Sequence, residues 1–229
     1  MPVAVASISS DLRSQFLDGL APFDCKTILG AATPRRFTAN SVVTNQGHPA
    51  GHLFLLTKGC ARYFFITEEG KKLLLKWLGP GDLFGGRTIL SNPSSYLVSS
   101  EVVKDSSVLV WDRTTIRRFV ERYPRLLENA LLTASDYVTW HLTSHIGLAC
   151  STARQRVAQL LVTLARSVGQ EVPGGIELHI TNEDLANAAN VTPFTASRLI
   201  SGWQRSGALI KHRGKVMLRS PERLFLHTV

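Results

Sequence analysis

Two adjacent side chains near the carboxyl end of the chain, Ser197 and Arg198, have the chemistry needed to contact a nucleic acid. An arginine guanidinium can donate two parallel hydrogen bonds to the O6 and N7 atoms of guanine. The stretch that follows is basic, with Glu222 as the one carboxylate between residues 198 and 223. Its cations are Arg198, Arg205, Lys211, Arg213, Lys215, Arg219 and Arg223. Cations at this density can neutralise the phosphates of DNA.

The segment 181–200 has the pattern of two short helices joined by a tight turn. Thr181 is placed to cap the first helix, with Asp184 as its capping-box partner. Asn190 suits the left-handed conformation of a turn. Thr192 can serve as an N-cap, and Pro193 comes next, where proline is favoured as the first helical residue. A second helix is therefore predicted to begin at Pro193.

The second helix divides into two faces. Ala196, Leu199, Ile200 and Trp203 fall on one side, and Phe194, Thr195, Ser197, Arg198 and Ser201 on the other. This composition is typical of a helix-turn-helix whose second helix enters a DNA major groove. The alternative is a helical hairpin packed in a core, in which Phe194 could also be a core residue.

The run from Ala208 to Leu218 predicts two short strands around a turn at Arg213 and Gly214, which would form a basic wing beside the helices. The residues predicted to contact DNA are Thr192, Pro193, Phe194, Thr195, Ser197, Arg198, Lys211, Arg213 and Lys215.

Composition supports an anionic partner and a soluble, folded protein. The 229 residues are 44% hydrophobic and 19% charged, with a net charge of +9 and a pI of about 9.9. Residues 151–229 hold 10 Lys and Arg against 5 Asp and Glu. Three separated cysteines, Cys25, Cys60 and Cys150, argue against a disulfide framework or a zinc ribbon. With neither a signal segment nor a long apolar run, we expect a cytoplasmic protein without a membrane partner.

Short strands separated by turn residues dominate residues 35–113 and predict a β-barrel or jelly roll. The predicted strands are Ser41 to Thr44, Leu53 to Thr57, Cys60 to Thr67, Lys72 to Leu78 and Val108 to Trp111. Before them, a short helix is expected from Asp11 to Phe23, ended by Pro22, after a loose tail of residues 1–10.

A long helix is predicted from Arg125 to Ala149, with apolar residues at steps of four and three that form a heptad seam. The seam comprises Leu127, Leu131, Ala134, Val138, His141, His145 and Leu148. We expect this seam to pair with a second subunit. The alternative is packing against the chain's own barrel, and a second row, Leu132, Leu142 and Ile146, allows both. A hinge at Ser151 and Thr152 and a helix from Ala153 to Val168 follow.

The order of these elements resembles that of the CRP/FNR family of bacterial transcription regulators. The matching pieces are Leu53 to Gly59, Glu68 to Leu78, Pro80 to Gly85, Arg156 to Leu161, the helix-turn-helix and the wing Ile210 to Val216. The resemblance implies an α+β fold and a homodimer. Its expected parts are a tail and helix in 1–22, a cyclic-nucleotide-binding-like, jelly-roll-like β-roll in 23–123, a dimerisation helix in 124–150 and a winged helix-turn-helix in 151–229.

The same resemblance predicts little or no affinity for cyclic AMP. Members that bind cyclic nucleotides follow the barrel glycine with a glutamate and later carry an Arg-Ser-Ala-like run. This chain has Gly86 after Gly85, and Ser94-Ser95-Tyr96 in the later run. A lost charge-assisted contact costs about 1.5 to 3 kcal/mol. The residues expected around an effector are Gly85, Gly86, Arg87, Ser95, Tyr96, His141 and Leu142, with Arg87 either a substitute anchor or a solvated surface residue.

The cysteines and histidines limit which other cofactors the chain could bind. With only Cys25 before Cys60, one subunit cannot supply the four thiolates of an iron–sulfur cluster. His141 and His145 lie four residues apart, a spacing that could hold a metal, or they interrupt the seam and fix its register. Haem ligation by one of the histidines, including His48 and His52, is a further alternative, so the cofactor stays open.

The predicted function is sequence-specific regulation of transcription on a palindromic operator, with RNA polymerase as a partner implied by the resemblance. Ser197 and Arg198 match the family's serine-arginine pair, whereas Phe194 stands where the common motif has a glutamate that accepts from cytosine. An alternative is a regulator without an effector, controlled by abundance or by cysteine oxidation. A cupin-like enzyme would need clustered histidines, and residues 53–113 contain none.

Overall fold

The computed structural model describes residues 12–225, so the expected tail of residues 1–10, the predicted helix start at Asp11 and the last four residues lie outside it. The chain divides into two compact units. The first comprises Met1–Phe65 and Leu78–Thr139, and the second Ile66–Trp77 and Trp140–Val229.

The amino-terminal helix differs from the one predicted. A single 3₁₀ turn occupies Gln15–Leu17, and the first α-helix, α1, spans Pro22–Gly30. The prediction of one helix ended by Pro22 is therefore wrong. Pro22 begins a helix instead, because its fixed φ and missing N–H cost nothing at the first helical position.

The amino-terminal strands form one antiparallel sheet in the order β1-β6-β3-β4, with β2 paired to β6 and β5 to β3. The strands are β1 (Thr33–Phe37), β2 (Val42–Thr44), β3 (His52–Ile66), β4 (Lys72–Leu78), β5 (Leu83–Phe84) and β6 (Ser99–Asp112). Two predicted strands merge into β3. Their apparent boundary at Gly59 is a bulged region where the register to β6 shifts, and Gly59 has a φ of 106° with Ser106 too close to admit a Cβ.

The buried run Leu53–Leu56 supplies two separate cores, because successive residues of a strand point to opposite faces. Leu53 and Leu55 pack in a cluster with Trp111 and Ile116, whereas Phe54 and Leu56 pack in another. This double burial explains why the strand has a continuous apolar sequence rather than an alternating one.

Helix α2 (Arg113–Arg122) begins at Asp112, whose carboxylate accepts from the Thr115 backbone N–H at 2.8 Å. Helix α3 (Arg125–Cys150) confirms the predicted long helix. Its inner face is not the expected second apolar row, which is 50–60% exposed at Leu132, Leu142 and Ile146.

The inner face of α3 is instead built around Leu126 and Asn129, which are almost fully buried. The Asn129 side-chain amide donates to the carbonyl oxygens of Phe16 at 3.0 Å and Asp18 at 2.8 Å. Further along, the Tyr137 ring meets Tyr63 of β3 edge-on at 6.0 Å, and burial raises the pKa of Tyr137 to about 12. The inner face of α3 is therefore held in part by a polar residue, Asn129, which a pattern of apolar residues does not identify.

After α3, the described residues of the second unit form a four-stranded antiparallel sheet in the order β7-β8-β10-β9, three α-helices and a 3₁₀ turn at Pro221–Leu224. The elements are α4 (Ala153–Val168), β7 (Gln170–Val172), β8 (Gly175–His179), α5 (Asn182–Ala189), α6 (Pro193–Arg205), β9 (Leu209–His212) and β10 (Lys215–Leu218). Thr152 and Gln155 form a capping box that begins α4. Strand β7 was not predicted from the sequence, because Gln170 and Glu171 are exposed and polar and Val172 is its single apolar residue.

Candidate nucleic-acid interface

The helix pair α5–α6 has the geometry that the sequence indicates. The Thr181 hydroxyl accepts from the Asp184 backbone N–H, and the Asp184 carboxylate accepts from the Thr181 backbone N–H, both at 3.1 Å. Asn190 adopts the left-handed conformation with a φ of 48°. The Thr192 hydroxyl accepts from the Thr195 backbone N–H at 3.1 Å, so α6 begins with Pro193 at a defined place.

Helix α6 buries one side and exposes the other. Ala196, Ile200 and Trp203 are at most 1% exposed. Arg198 is exposed on the opposite side, and Phe194 is 77% exposed. Interpreting Phe194 as a core residue is therefore wrong, because its ring lies in solvent. Ser197 is half-buried, and the Thr195 hydroxyl is 2.9 Å from that of Thr192, which limits its freedom to contact another molecule.

The predicted wing is the hairpin of β9 and β10, turned at Gly214 with a φ of 72°. Lys211 and Arg213 are exposed. Lys215 differs from them, because its ammonium lies 2.9 Å from a carboxylate oxygen of Glu177 on β8. The wing therefore presents two cations to solvent and one that is paired.

Glu177 is a functional candidate that the sequence analysis missed. His179 lies opposite Lys215 in the β8–β10 register, and its Nε2 is 3.3 Å from the same Glu177 oxygen. The hydrogen bond from Lys215 is the main cause that lowers the pKa of Glu177, with further help from His179. The sequence feature that could have identified Glu177 is its position two residues before His179 in a strand, which places both side chains on one face of the sheet.

The candidate effector residues of the first unit surround a short 3₁₀ turn, Gly86–Ile89. Gly85 precedes it with a φ of 78°, and a Cβ there would meet the His52 carbonyl oxygen at 2.6 Å. Gly86 and Arg87 are exposed. Tyr96 is buried, and its hydroxyl donates to the His52 carbonyl oxygen and accepts from the His52 backbone N–H, both at 3.0 Å. Ser95 pairs with Pro49 in an isolated β-bridge.

Two arginines that the sequence analysis did not single out hold this turn. Arg113 donates to the carbonyl oxygens of Thr88 at 2.6 Å and Ser91 at 2.8 Å. Arg117 donates to the carbonyl oxygen of Ile89 at 3.1 Å. The guanidinium groups of Arg113 and Arg117 are thus committed to backbone carbonyls, whereas Arg87 of the turn itself is exposed.

The other two candidates, His141 and Leu142, belong to the second unit. Burial, and after it the charge of Lys76, lowers the pKa of His141, so its imidazole is neutral near pH 7. The His141 ring also meets Trp140 edge-on at 4.9 Å. Across residues 12–225, no group of three or more His, Cys, Asp or Glu side chains is arranged to hold a metal ion.

The seam residues on α3 are exposed along its length. Leu127, Leu131, Val138 and Leu148 are 43–68% exposed, Ala134 and His145 are exposed, and His141 is half-buried. Together with Leu132, Leu142 and Ile146 they make one broad apolar face on a single subunit. Within the part of the chain that the structure describes, no helix is long and apolar enough to span a bilayer.

Comparison with protein families matches both units. Residues 34–123 match the model of the cyclic nucleotide-binding domain, and residues 155–225 match that of the Crp-like helix-turn-helix domain. The chain belongs to the CRP/FNR family of transcription regulators. As a CRP/FNR regulator it carries a DNA-binding helix-turn-helix, and its relatives are regulators rather than enzymes.

The proteins that are similar to this chain include regulators with different names. The anaerobic regulatory protein of Bacillus subtilis is 24% identical over 204 residues, which cover 84% of this chain and 82% of the relative. The cyclic AMP receptor protein of Thermus thermophilus is 28% identical over 207 residues, which cover 90% and 93%. The solved structure of FixK2 from Bradyrhizobium japonicum shares the fold with a TM-score of 0.72 at 21% identity, covering 84% of this chain and 95% of that one.

Proposed function

We propose that this CRP/FNR regulator acts as a cytoplasmic homodimer that binds a palindromic DNA operator and controls transcription with RNA polymerase as its partner. The single observation that carries the proposal is the exposed face of α6, on which Arg198 and Phe194 project into solvent while Ala196, Ile200 and Trp203 on the opposite face are buried. Lys211 and Arg213 on the wing add cations that can contact phosphates.

The operator is expected to consist of two half-sites about one helical turn apart, because a two-fold dimer presents two copies of α6. Arg198 reads a guanine through O6 and N7, and the Phe194 ring packs on a thymine methyl. Ser197, Thr192, Pro193 and Thr195 lie at the start of the same helix and contact the backbone or adjacent bases. The half-site therefore departs from the usual family half-site opposite Phe194.

The apolar face of α3 supports a second subunit as its partner. A helix of 26 residues with seven exposed large hydrophobic side chains is too apolar to remain in water. The exposed seam has the spacing of a two-stranded coiled coil, and residues of this helix also pack inward. His141 and His145 would interrupt the seam and fix its register.

The sensing side of the proposal is a β-roll that does not take cyclic AMP. Neither Gly86 nor Ser94 can supply the charged groups that hold a cyclic nucleotide, and Arg113 and Arg117 are bonded to carbonyls of the adjacent turn. The names of its relatives include an anaerobic regulator and a cyclic AMP receptor, so membership in the family leaves the effector open. Gly85, Arg87, Ser95, Tyr96, His141 and Leu142 stay as candidates for another effector.

Control by cysteine oxidation is a second candidate function, and burial leaves one of the three cysteines suited to it. Burial raises the pKa of the Cys60 thiol to about 11 and is also the largest cause that raises the pKa of Cys25. Both thiols are therefore poor nucleophiles at neutral pH. Cys150 at the end of α3 is exposed and is the cysteine on which oxidation would act.

The experiment that tests the proposal is selection of bound sequences from random DNA with the purified protein, combined with native mass spectrometry. The expected result is an inverted repeat with a guanine in each half-site and a mass of two subunits per duplex. Binding with no sequence preference, or a single asymmetric site, would contradict it. The same mass spectrum, with an absorbance scan for a Soret band, reveals a retained metal, haem or small ligand.

A further inference from the structure

One guanidinium in the second unit joins three backbone carbonyls from two separate places in the chain. Arg156, in the first turn of α4, donates from Nε to the Ala189 carbonyl oxygen at 2.9 Å and from Nη2 to that of Asn190 at 3.1 Å. From Nη1 it donates to the Ser151 carbonyl oxygen at 2.7 Å. Each of its three nitrogens is used, in a geometry that only a planar fork can satisfy.

Two of these carbonyls belong to the turn between α5 and α6. The last carbonyls of a helix have no intrahelical partner, and a cation at this end is favourable. Ala189 ends α5, and Asn190 follows it in the left-handed conformation. Asparagine adopts this conformation more readily than most residues but, unlike glycine, at some cost in free energy, so bonds from outside the turn add to its stability.

The third carbonyl belongs to the connection between α3 and α4. Ser151 lies directly after the last residue of α3 and before Thr152, which caps α4. The same guanidinium therefore bonds to the end of the long helix and to the turn from which α6 begins. Pro193 follows Asn190 by three residues, so a change in the turn changes the direction in which α6 presents Phe194 and Arg198.

We propose that Arg156 is a positioning residue for DNA recognition, which fixes the turn before α6 against the carboxyl end of α3. It contacts no base in this role. Its contribution is to hold Asn190 in the conformation that aims α6, so its loss lowers affinity for the operator more than affinity for unrelated DNA. The inference rests on the proposed DNA-binding function and names a residue through which that function is set.

The test compares operator and unrelated DNA affinities for Arg156→Gln and for Arg166→Gln, a matched change at an exposed arginine near the other end of α4. Arg156→Gln is expected to lower the ratio of the two affinities by about tenfold to a hundredfold, which is the size of a lost base contact. Arg166→Gln removes the same charge and leaves the ratio unchanged.

Rescue separates positioning from general stability. Because glycine adopts the left-handed conformation without cost, Asn190→Gly in the Arg156→Gln background should restore most of the lost ratio. Arg156→Lys, which keeps the charge but not the fork, should fall between wild type and Arg156→Gln. Melting curves by circular dichroism check that each variant is folded at the assay temperature. If Arg156→Gln alone is unfolded there, the ratio of affinities is measured on the double variant.

Two outcomes overturn the inference and differ from each other. If the wild-type chain selects an operator and folded Arg156→Gln keeps the same affinity ratio, Arg156 does not position α6. If neither the wild type nor Arg166→Gln distinguishes an operator from unrelated DNA, the proposed function fails and the inference fails with it.

Discussion

In the proposed interface, Phe194 limits which bases α6 can read. A phenyl ring 77% exposed at the start of α6 accepts no hydrogen bond, so a cytosine amino group opposite it would lose its partner. Sequence alone left two alternatives for this residue, core or interface. Its position is set by Ala196, Ile200 and Trp203, whose burial turns the ring to the opposite side of the helix.

Substitution of Phe194 by glutamate is therefore expected to change the preferred half-site at one position. The carboxylate can accept from cytosine, and each such contact discriminates by about 1 to 3 kcal/mol. Selection from random DNA measures the change. Phe23→Glu serves as the control, because Phe23 is equally exposed on α1 and its replacement should leave the half-site as it was. An unchanged half-site for Phe194→Glu would show that Phe194 does not face the bases.

The sequence shows that a lysine stands at Lys215 but cannot show whether its ammonium is free to contact DNA. Its ammonium is 2.9 Å from Glu177, so a phosphate must compete with that carboxylate. Lys215→Ala should weaken binding to all sequences by less than the same change at exposed Lys211, since part of the charge of Lys215 is already balanced.

Glu177→Gln is expected to tighten binding to all DNA several-fold and to steepen the salt dependence, because it releases Lys215 and removes a negative charge near the phosphates. Gel shifts at several salt concentrations give the slope. Glu171→Gln, an exposed carboxylate on β7, controls for net charge alone. Equal effects of the two substitutions would mean that the pair with Lys215 has no part in DNA affinity.

At the scale of elements, helix α3 shows which features a periodic apolar pattern can predict. Its length and exposed seam follow from a repeated apolar pattern. Its inner face does not, because Asn129 and half-buried Thr133 and Tyr137 lie there in place of an apolar row. The helix pair α5–α6 was predictable nearly to the residue, since its caps and turn are local signals. The first half of β6 was missed because its pairing is non-local. Strand β7 was missed although its hairpin with β8 is local, because two of its three residues are exposed and polar.

Asn129→Ala should destabilise the first unit by about 1 to 3 kcal/mol, because it leaves two carbonyls, of Phe16 and Asp18, without their donor. Urea denaturation gives the change in unfolding free energy. Ser135→Ala, at an exposed position of the same helix, should be neutral. An unchanged midpoint for Asn129→Ala would mean that water replaces the amide without cost.

Val138→Asp tests the outer face of α3. Val138 is 55% exposed in one subunit and lies at the centre of the seam, so a carboxylate there would be buried against a second copy without a partner. The expected result is a monomer by analytical ultracentrifugation, with operator affinity reduced. Ser144→Asp places the same charge outside the seam and should leave the dimer intact. A dimer that survives Val138→Asp would place the interface elsewhere.

At the scale of the whole molecule, the excess of cations and the candidate effector residues lie in different parts of the chain. The carboxyl-terminal third holds twice as many Lys and Arg as Asp and Glu, 10 against 5, and this part carries α6 and the wing. The amino-terminal β-roll has the fold that relatives use for a cyclic nucleotide but not the charged groups. The architecture was predictable from motif order, whereas the effector was not, because it depends on a few side chains around Gly85 and Tyr96.

The missing anchors predict that calorimetry with cyclic AMP gives no heat of binding for the wild-type chain, and that Gly86→Glu with Ser94→Arg creates affinity. Gly86 has open space where a Cβ would lie, with no atom within 4 Å, so the glutamate can be accommodated. Each restored charge-assisted contact contributes about 1.5 to 3 kcal/mol, enough together for a gain of a hundredfold or more. Gly86→Gln with Ser94→Gln controls for size. Micromolar binding by the wild type would show that other groups hold the nucleotide. No gain in the charged double variant would mean that the turn held by Arg113 and Arg117, and not the absent anchors, keeps cyclic AMP out.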